Sequence, residues 1–259
     1  MFIRKALISL AAMAALSGAA HANLVQNGDF ETTVFTESSQ FGFYNLPGDQ
    51  NKVLNWNPTG GYETGVVNYM FLFKPGTATS TGAHAVTGDQ LMIAGPGNGV
   101  DNGFVDSPSG GNYIGILGNH NQSPLVQSIS GLTVGEQYTL SFDWAAGQQL
   151  GFNGATTSGW TVTLGAESYA TAMIANPDHG FQPWREQTFT FTATSTTELL
   201  QFMARGTPSG GPPAAFLDNV RLEAGVPPTS NVPEPTSLSL IGLALGAMGL
   251  SRRRKKASA

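Results

Sequence analysis

Tyr138-Thr139-Leu140-Ser141-Phe142-Asp143-Trp144 places a large apolar residue at every even position and a polar one at every odd position. A period of two belongs to a strand with one face on a core, because successive side chains of an extended chain point to opposite faces. Working outward, the alternation recurs in Trp160-Thr161-Val162-Thr163-Leu164. It returns between 187 and 193, with Phe189, Phe191 and Ala193 inward and Thr188, Thr190 and Thr192 outward. Leu200, Phe202 and Ala204 then alternate with Gln201, Met203 and Arg205. Turn-forming residues separate the runs at 132–136, 151–159 and 207–211. Together these predict an all-β fold, an antiparallel β-sandwich of the jelly-roll kind. Between 32 and 111 the pattern is broken by Gly- and Asn-rich stretches, and strands are expected within 62–73, 90–94 and 112–117.

The two ends carry different signals. Arg4-Lys5, the apolar run from Ala6 to Leu16, and the small-residue site Ala20-His21-Ala22 read as a secretory signal peptide over 1–22. At the other end stand Val232-Pro233-Glu234-Pro235, an uncharged apolar run from Ser237 to Leu250, and Arg252-Arg253-Arg254-Lys255-Lys256. As a helix, 237–250 would be about 21 Å long at ~1.5 Å per residue, against a hydrocarbon core of roughly 30 Å. It therefore suits a short, transient transmembrane helix, and the basic end at 252–256 stays on the cytoplasmic side. Between the ends lies one domain, 23–224, joined by a Pro-rich linker, 225–231, to the segment 232–259.

The overall charge of −5 conceals an uneven distribution. Outside the two terminal segments the cations are Lys52, Lys74, Arg185, Arg205 and Arg221, greatly outnumbered by Asp and Glu. Nucleic acid and anionic lipid both require clustered positive charge, so neither is an expected partner. The chain has no cysteine, which rules out disulfides and thiol catalysis.

Pro-Glu-Pro, a short hydrophobic segment and a basic end, in that order, resemble the PEP-CTERM sorting signal of Gram-negative surface proteins. The resemblance implies export to the cell envelope, outer surface or extracellular matrix, with an exosortase and the secretion machinery as partners. It assigns sorting and processing to Pro233, Glu234 and Pro235, together with Arg252, Arg253 and Arg254 of the basic end. A second resemblance rests on Asn23-Leu24-Val25-Gln26-Asn27-Gly28-Asp29-Phe30-Glu31, on Val126-Gln127-Ser128-Ile129-Ser130-Gly131-Leu132 with Gly135 and Tyr138, and on Phe216-Leu217-Asp218-Asn219-Val220-Arg221-Leu222. These are similar to secreted galactose-binding-like jelly rolls, including carbohydrate-binding modules. That family implies a structural calcium (Ca2+) between the N-terminal segment and the last strand, with Glu31 and Asp218 as side-chain ligands and Asn27, Gly28 or Asp29 nearby. The residues pose the question independently: in a regular strand Asp218 shares parity with Phe216, Val220 and Leu222, and a lone buried carboxylate is costly. Backbone amides at a bulge are the alternative answer.

Aromatic rings pack against pyranose faces, so the four tryptophans are glycan candidates. Trp144 and Trp160 have inward parity and are assigned to packing. Trp184 has the parity of the outward threonines and is expected to line an exposed sheet face. Trp56 reads either as a buried anchor or as a loop platform, and Tyr44, Tyr62 and Tyr69 fall in the irregular region. Gln201 and Arg205, outward on their strand, suit sugar hydroxyls or simply solvent. The mature histidines His84, His120 and His179 stand in no metal-binding pattern, and Asp178-His179 reads as a surface turn. No catalytic motif is visible, although a glycosidase carboxylate pair would leave no spacing signature. The expected function is a non-enzymatic, exported surface or matrix protein that binds glycan or exopolysaccharide. The alternatives are a purely structural role and a polysaccharide-active enzyme.

Overall fold

The computed structural model describes residues 22–34, 41–42, 52–59, 69–80, 91–119 and 123–225. The chain divides into two units, Met1–Ala224 and Gly225–Ala259. The signal peptide, the 237–250 helix, the sorting residues at 233–235 and 252–254, and His84, His120, Tyr44 and Tyr62 lie outside the described residues. Among the described residues no helix is long and apolar enough to cross a membrane.

The described elements are twelve strands and one 3-10 turn, Pro96–Asn98. The strands are β1 (Phe41–Gly42), β2 (Asn57–Pro58), β3 (Met70–Phe73), β4 (Tyr113–Leu117), β5 (Leu125–Ser130), β6 (Gln137–Gln148), β7 (Thr156–Leu164), β8 (Glu167–Ala170), β9 (Ile174–Asn176), β10 (Gln182–Thr192), β11 (Thr197–Thr207) and β12 (Pro213–Ala224). They form two antiparallel sheets, β1-β3-β4-β12-β6-β10 and β2-β5-β11-β7-β8, with β9 paired to β7. This is the predicted jelly-roll β-sandwich. The long alternating runs become β6, β7, β10 and β11, because each has enough inward apolar area to hold a strand on the core. The expected 90–94 strand is reduced to a bridge between Ile93 and Gln149, and β7 begins at Thr156, inside the predicted turn.

The main core lies between the sheets. Trp144, Leu140 and Phe142 of β6 meet Trp160 and Val162 of β7 and Phe202 of β11, all essentially inaccessible to solvent. Phe202 stands edge-on to Phe142 at 5.2 Å and to Trp160 at 6.1 Å, the arrangement that ring quadrupoles favour. A second core covers part of the outer face of the first sheet, where Phe71, Phe73, Tyr113, Ala145 and Phe216 pack under Ala78, Leu91 and Ile93. Ala78, Leu91 and Ile93, from the irregular stretch, therefore roof part of this face without forming a regular ladder.

The last strand changes sides part-way. Asp218 pairs with Asp143 and Arg221 with Ser141, so Asn219 and Val220 together stand opposite Phe142. Asn219 takes φ of 53°, the left-handed backbone of a bulge. The regular parity expected for this strand is thus corrected: Phe216 faces the outer core, whereas Leu217, Val220 and Leu222 face the inner one. Asp218 does not share a face with Val220 and Leu222. The N-terminal segment docks at this point, with the Val220 amide donating to the Gly28 carbonyl at 2.9 Å and the Leu24 amide to the Leu222 carbonyl at 2.9 Å. A Cβ at Gly28 would lie 2.0 Å from the Val220 carbonyl oxygen, so only glycine permits this approach.

Gly28→Ala is expected to undock the N-terminal segment. Amide hydrogen exchange at Val220 and Leu24 should accelerate and the melting temperature should fall. Phe216→Ala, which opens the outer core, is expected to cost about 3–5 kcal/mol in denaturant unfolding.

Candidate functional site

Asp218 is completely buried at the bulge. Its Oδ2 accepts hydrogen bonds from the hydroxyls of Ser107, at 2.5 Å, and Ser109, and its Oδ1 accepts from the Asn219 amide at 2.7 Å. Burial raises its pKa from 3.8 to about 6, and the like charge of Asp143 adds to the rise, while the three hydrogen bonds work in the opposite direction. The Asn219 side chain donates to Asp143 Oδ2 at 2.9 Å. The 107–112 segment also takes hold of the N-terminus. Asn112 donates its amide to Glu31 Oε1 at 2.5 Å and its side-chain nitrogen to the Phe30 carbonyl at 3.1 Å. A Cβ at Gly111 would collide with the Glu31 carboxylate.

One segment therefore binds both Glu31 and Asp218. The other implied calcium ligands are engaged differently. Asn27 donates to the Thr32 and Leu54 carbonyls at 3.0 and 2.9 Å and accepts from the Thr32 amide at 2.8 Å, so its side chain holds the turn. The Gly28 carbonyl accepts from Val220. Asp29 is exposed, and its Oδ1 accepts from the Glu31 amide at 3.5 Å. Ser107 and Ser109 bring hydroxyl oxygens to Asp218 beside the Asn219 amide, and the same segment holds the Glu31 carboxylate; hard oxygen groups of this kind suit a hard cation. Among the described residues no cationic side chain bonds to Asp218, and no group of three or more His, Cys, Asp and Glu side chains gathers as a metal site.

The four glycan candidates do not share a surface. Trp56 is fully buried, packs on Phe30 at 5.4 Å, and donates its indole N–H to the Asn27 carbonyl at 2.9 Å. As a platform it is therefore excluded, because neither ring face reaches solvent. Trp184 does lie on the outer face of its sheet, as its parity predicts, but that face is roofed. Its ring stands edge-on to Tyr113 at 5.5 Å and its N–H donates to the Val105 carbonyl at 3.1 Å, leaving it half-buried. Gln201 and Arg205 project from β11, on the other sheet. Arg205 Nη2 donates to the carbonyls of Thr171 at 2.7 Å and Trp160 at 3.3 Å, so this guanidinium ties the 171–173 segment to β7. Asp178 and His179, neighbours in sequence, meet at 3.2 Å in a turn where His179 takes φ of 52°.

Sequence parity does not reveal a further aromatic feature, on the flank where the sheets end. Arg185, Gln187, Phe189 and Phe191 of β10 pair with Trp144, Phe142, Leu140 and Tyr138, so all four point toward the inter-sheet space. Tyr169 of β8 pairs with Val162 and points there from the opposite sheet. Both strands are edges, and the core opens between them. Tyr169, 41% exposed, stacks on Phe189 at 5.5 Å and 15° and stands edge-on to Phe191 at 5.0 Å. The Arg185 guanidinium sits 5.5 Å from the centroid of the Trp144 ring. A flank with stacked aromatics, an amide and a cation is suited to holding a flat, hydroxylated ligand.

Residues 231–255 match the family model described as the PEP-CTERM protein-sorting motif. The chain is 26% identical over 235 residues to Halomucin of Haloquadratum walsbyi, a match covering 88% of this chain and 2% of that protein. The chain thus spans only a small fraction of the curated relative it matches. Solved structures with similar folds include TmCBM61 in complex with β-1,4-galactotriose, at 13% identity and TM-score 0.39, covering 79% of this chain and 99% of that one. Another is the CBM22-1 xylan-binding domain of Paenibacillus barcinonensis Xyn10C, at 11% identity and TM-score 0.34, covering 71% and 92%. The molecule is a jelly-roll β-sandwich carrying a C-terminal sorting motif. That motif marks it as an exported, envelope-associated bacterial protein.

The Asp218 carboxylate gives a signed pH dependence. Its folded pKa lies above the unfolded value, so the stability it contributes is complete below pH 3.8 and is lost as pH rises through about 6. In chelator, wild-type protein should lose stability across that window, and Asp218→Asn should flatten the loss, as read by denaturant midpoints at stepped pH.

Proposed function

We propose that the protein is a non-enzymatic glycan-binding component of the cell surface or extracellular matrix, sent there by its C-terminal motif. The observation that carries glycan binding is the exposed Tyr169–Phe189 stack on the open flank of the sandwich. A large, rigid, partly exposed aromatic surface loses little entropy on binding and offers an apolar face to the C–H side of a pyranose. Gln187, on the same side of β10, is half-buried and adds an amide for hydroxyls.

Delivery rests on the tail. Its apolar run is of marginal span and follows Pro233-Glu234-Pro235, which suits brief insertion, processing by an exosortase, and release of Arg252–Lys256. Mature surface protein analysed by mass spectrometry should end near the Pro-Glu-Pro site. Recovery of intact Arg252–Lys256 would refute processing.

The N-terminal and final strands are held together by a structural calcium, with Glu31 and Asp218 supplying its carboxylates and Ser107 and Ser109 beside it. The hydroxyl oxygens of Ser107 and Ser109 at the buried carboxylate, and the hold of the same segment on Glu31, support this assignment. Added calcium should raise the melting temperature of wild type and leave Asp218→Ala unchanged; identical wild-type curves in calcium and chelator would count against it.

Affinity electrophoresis through gels containing soluble polysaccharides tests the binding site. Retardation should be lost in Tyr169→Ala, with little change in melting temperature, and kept in Trp184→Phe. Uniform mobility of the wild type across neutral and acidic polysaccharides would favour a purely structural role.

A further inference from the structure

Arg185 occupies an unusual position for a cation in this chain. Arg221 is paired with Glu186 at 3.1 Å, and Arg205 is committed to backbone carbonyls. Arg185 is exposed, and the hydrogen bonds of its Nε and Nη2 go to the carbonyl of its own neighbour Pro183, at 3.3 and 3.2 Å. Its guanidinium sits near the Trp144 ring. These contacts fix the group in place without neutralising its charge, and Nη1 has no hydrogen-bond partner among the described residues. The acids near β10 are otherwise occupied. Glu186 is on the opposite side of the strand and faces Arg221. Glu167, at the other end of the flank, accepts from the Thr192 amide at 3.3 Å and from the Tyr169 hydroxyl at 3.4 Å.

Four residues separate Arg185 from Phe189, so the cation lies about 13 Å along the strand from the aromatic stack at ~3.3 Å per residue. Gln187 stands between them on the same side, its Nε2 bound to the Thr188 carbonyl at 3.0 Å. The flank is thus a linear track with a stacking surface, an amide and an immobilised guanidinium in sequence. We propose that it selects glycans bearing carboxylates, such as uronate-containing polysaccharides. A sugar ring stacks at Tyr169 and Phe189 while a carboxylate further along the same glycan pairs with Arg185. A guanidinium presents its N–H groups in the fork geometry a carboxylate accepts, and this one is already ordered before ligand arrives. The excess of acids over cations in the domain disfavours anionic glycans away from the track, so the track also sets the register.

This selectivity rests on the glycan reading above, and the experiment separates the two. Full-length wild type, Arg185→Gln and Tyr169→Ala are applied to a printed panel of neutral and uronate-containing oligosaccharides at low and high salt. Wild type should favour the uronate-containing glycans by about tenfold at low salt, with the preference shrinking as salt rises. Arg185→Gln should lose the preference and retain neutral binding, whereas Tyr169→Ala should lose both. An Arg185→Gln variant that still prefers uronates, or a wild type that binds neutral and acidic glycans equally, overturns the selectivity alone. Absence of wild-type binding across the panel, or unchanged binding by Tyr169→Ala, overturns the glycan site itself.

Discussion

The bulge at Asn219 is the constraint on which the rest of the molecule depends. β12 is hydrogen-bonded to β4 on one side and β6 on the other, so any change in its parity is felt across the first sheet. By inserting one residue opposite Phe142, the bulge lets the strand serve two cores in succession. Before it, Phe216 anchors the outer core; after it, Val220 and Leu222 complete the inner one. Asp218 sits where the change occurs, and its carboxylate is satisfied by the roof segment rather than by its own sheet. The same segment then takes Glu31 through Asn112, and β12 takes Gly28 through Val220. Roof and last strand thus meet at a single buried carboxylate, and the N-terminus is tied to both beside it.

This arrangement covers one face of the first sheet and the aromatic part of the other. The first is the sandwich interior; on the second, Phe71, Phe73, Tyr113 and Phe216 lie under Leu91, Ile93 and Ala78, while Glu186, Thr188 and Glu223 stay exposed. Trp184 illustrates the consequence, since it projects from the outer face yet has its edge against Tyr113 and its N–H on Val105. The flank is different because two sheets of finite width must end somewhere. Where β10 and β8 form the edges, inward-pointing side chains are no longer covered, and Tyr169 and Phe189 become accessible while keeping core-like packing. Accessibility combined with rigidity is what a stacking surface requires.

Much of the fold was legible because alternation reports directly on a half-buried strand. Tyr138–Trp144, Trp160–Leu164 and the Phe189–Phe191 run each became the strand that their period implied, and Trp144 and Trp160 went inward as their parity required. The candidate site was less legible. Trp56 looked equally like a platform or an anchor, since its neighbours are polar, and only its contacts with Phe30 and the Asn27 carbonyl settle that it is buried. Parity gave Phe189 an inward direction correctly, but parity carries no information about which strand is an edge. Tyr169 carries no such signal, because a four-residue strand is too short to display a period.

The sequence by itself determined the alternating strands, the C-terminal sorting motif and the scarcity of cations, because these are local properties of composition and spacing. The tertiary structure decided which side of each sheet is covered, how Asp218 is satisfied, and that Arg185 shares a flank with Tyr169. Those facts depend on residues far apart in the chain, Ser107 with Asp218 and Tyr169 with Phe189, brought together only when the sheets pack and the last strand changes face. A period along one strand cannot encode them, since they are properties of where that strand ends up among the others.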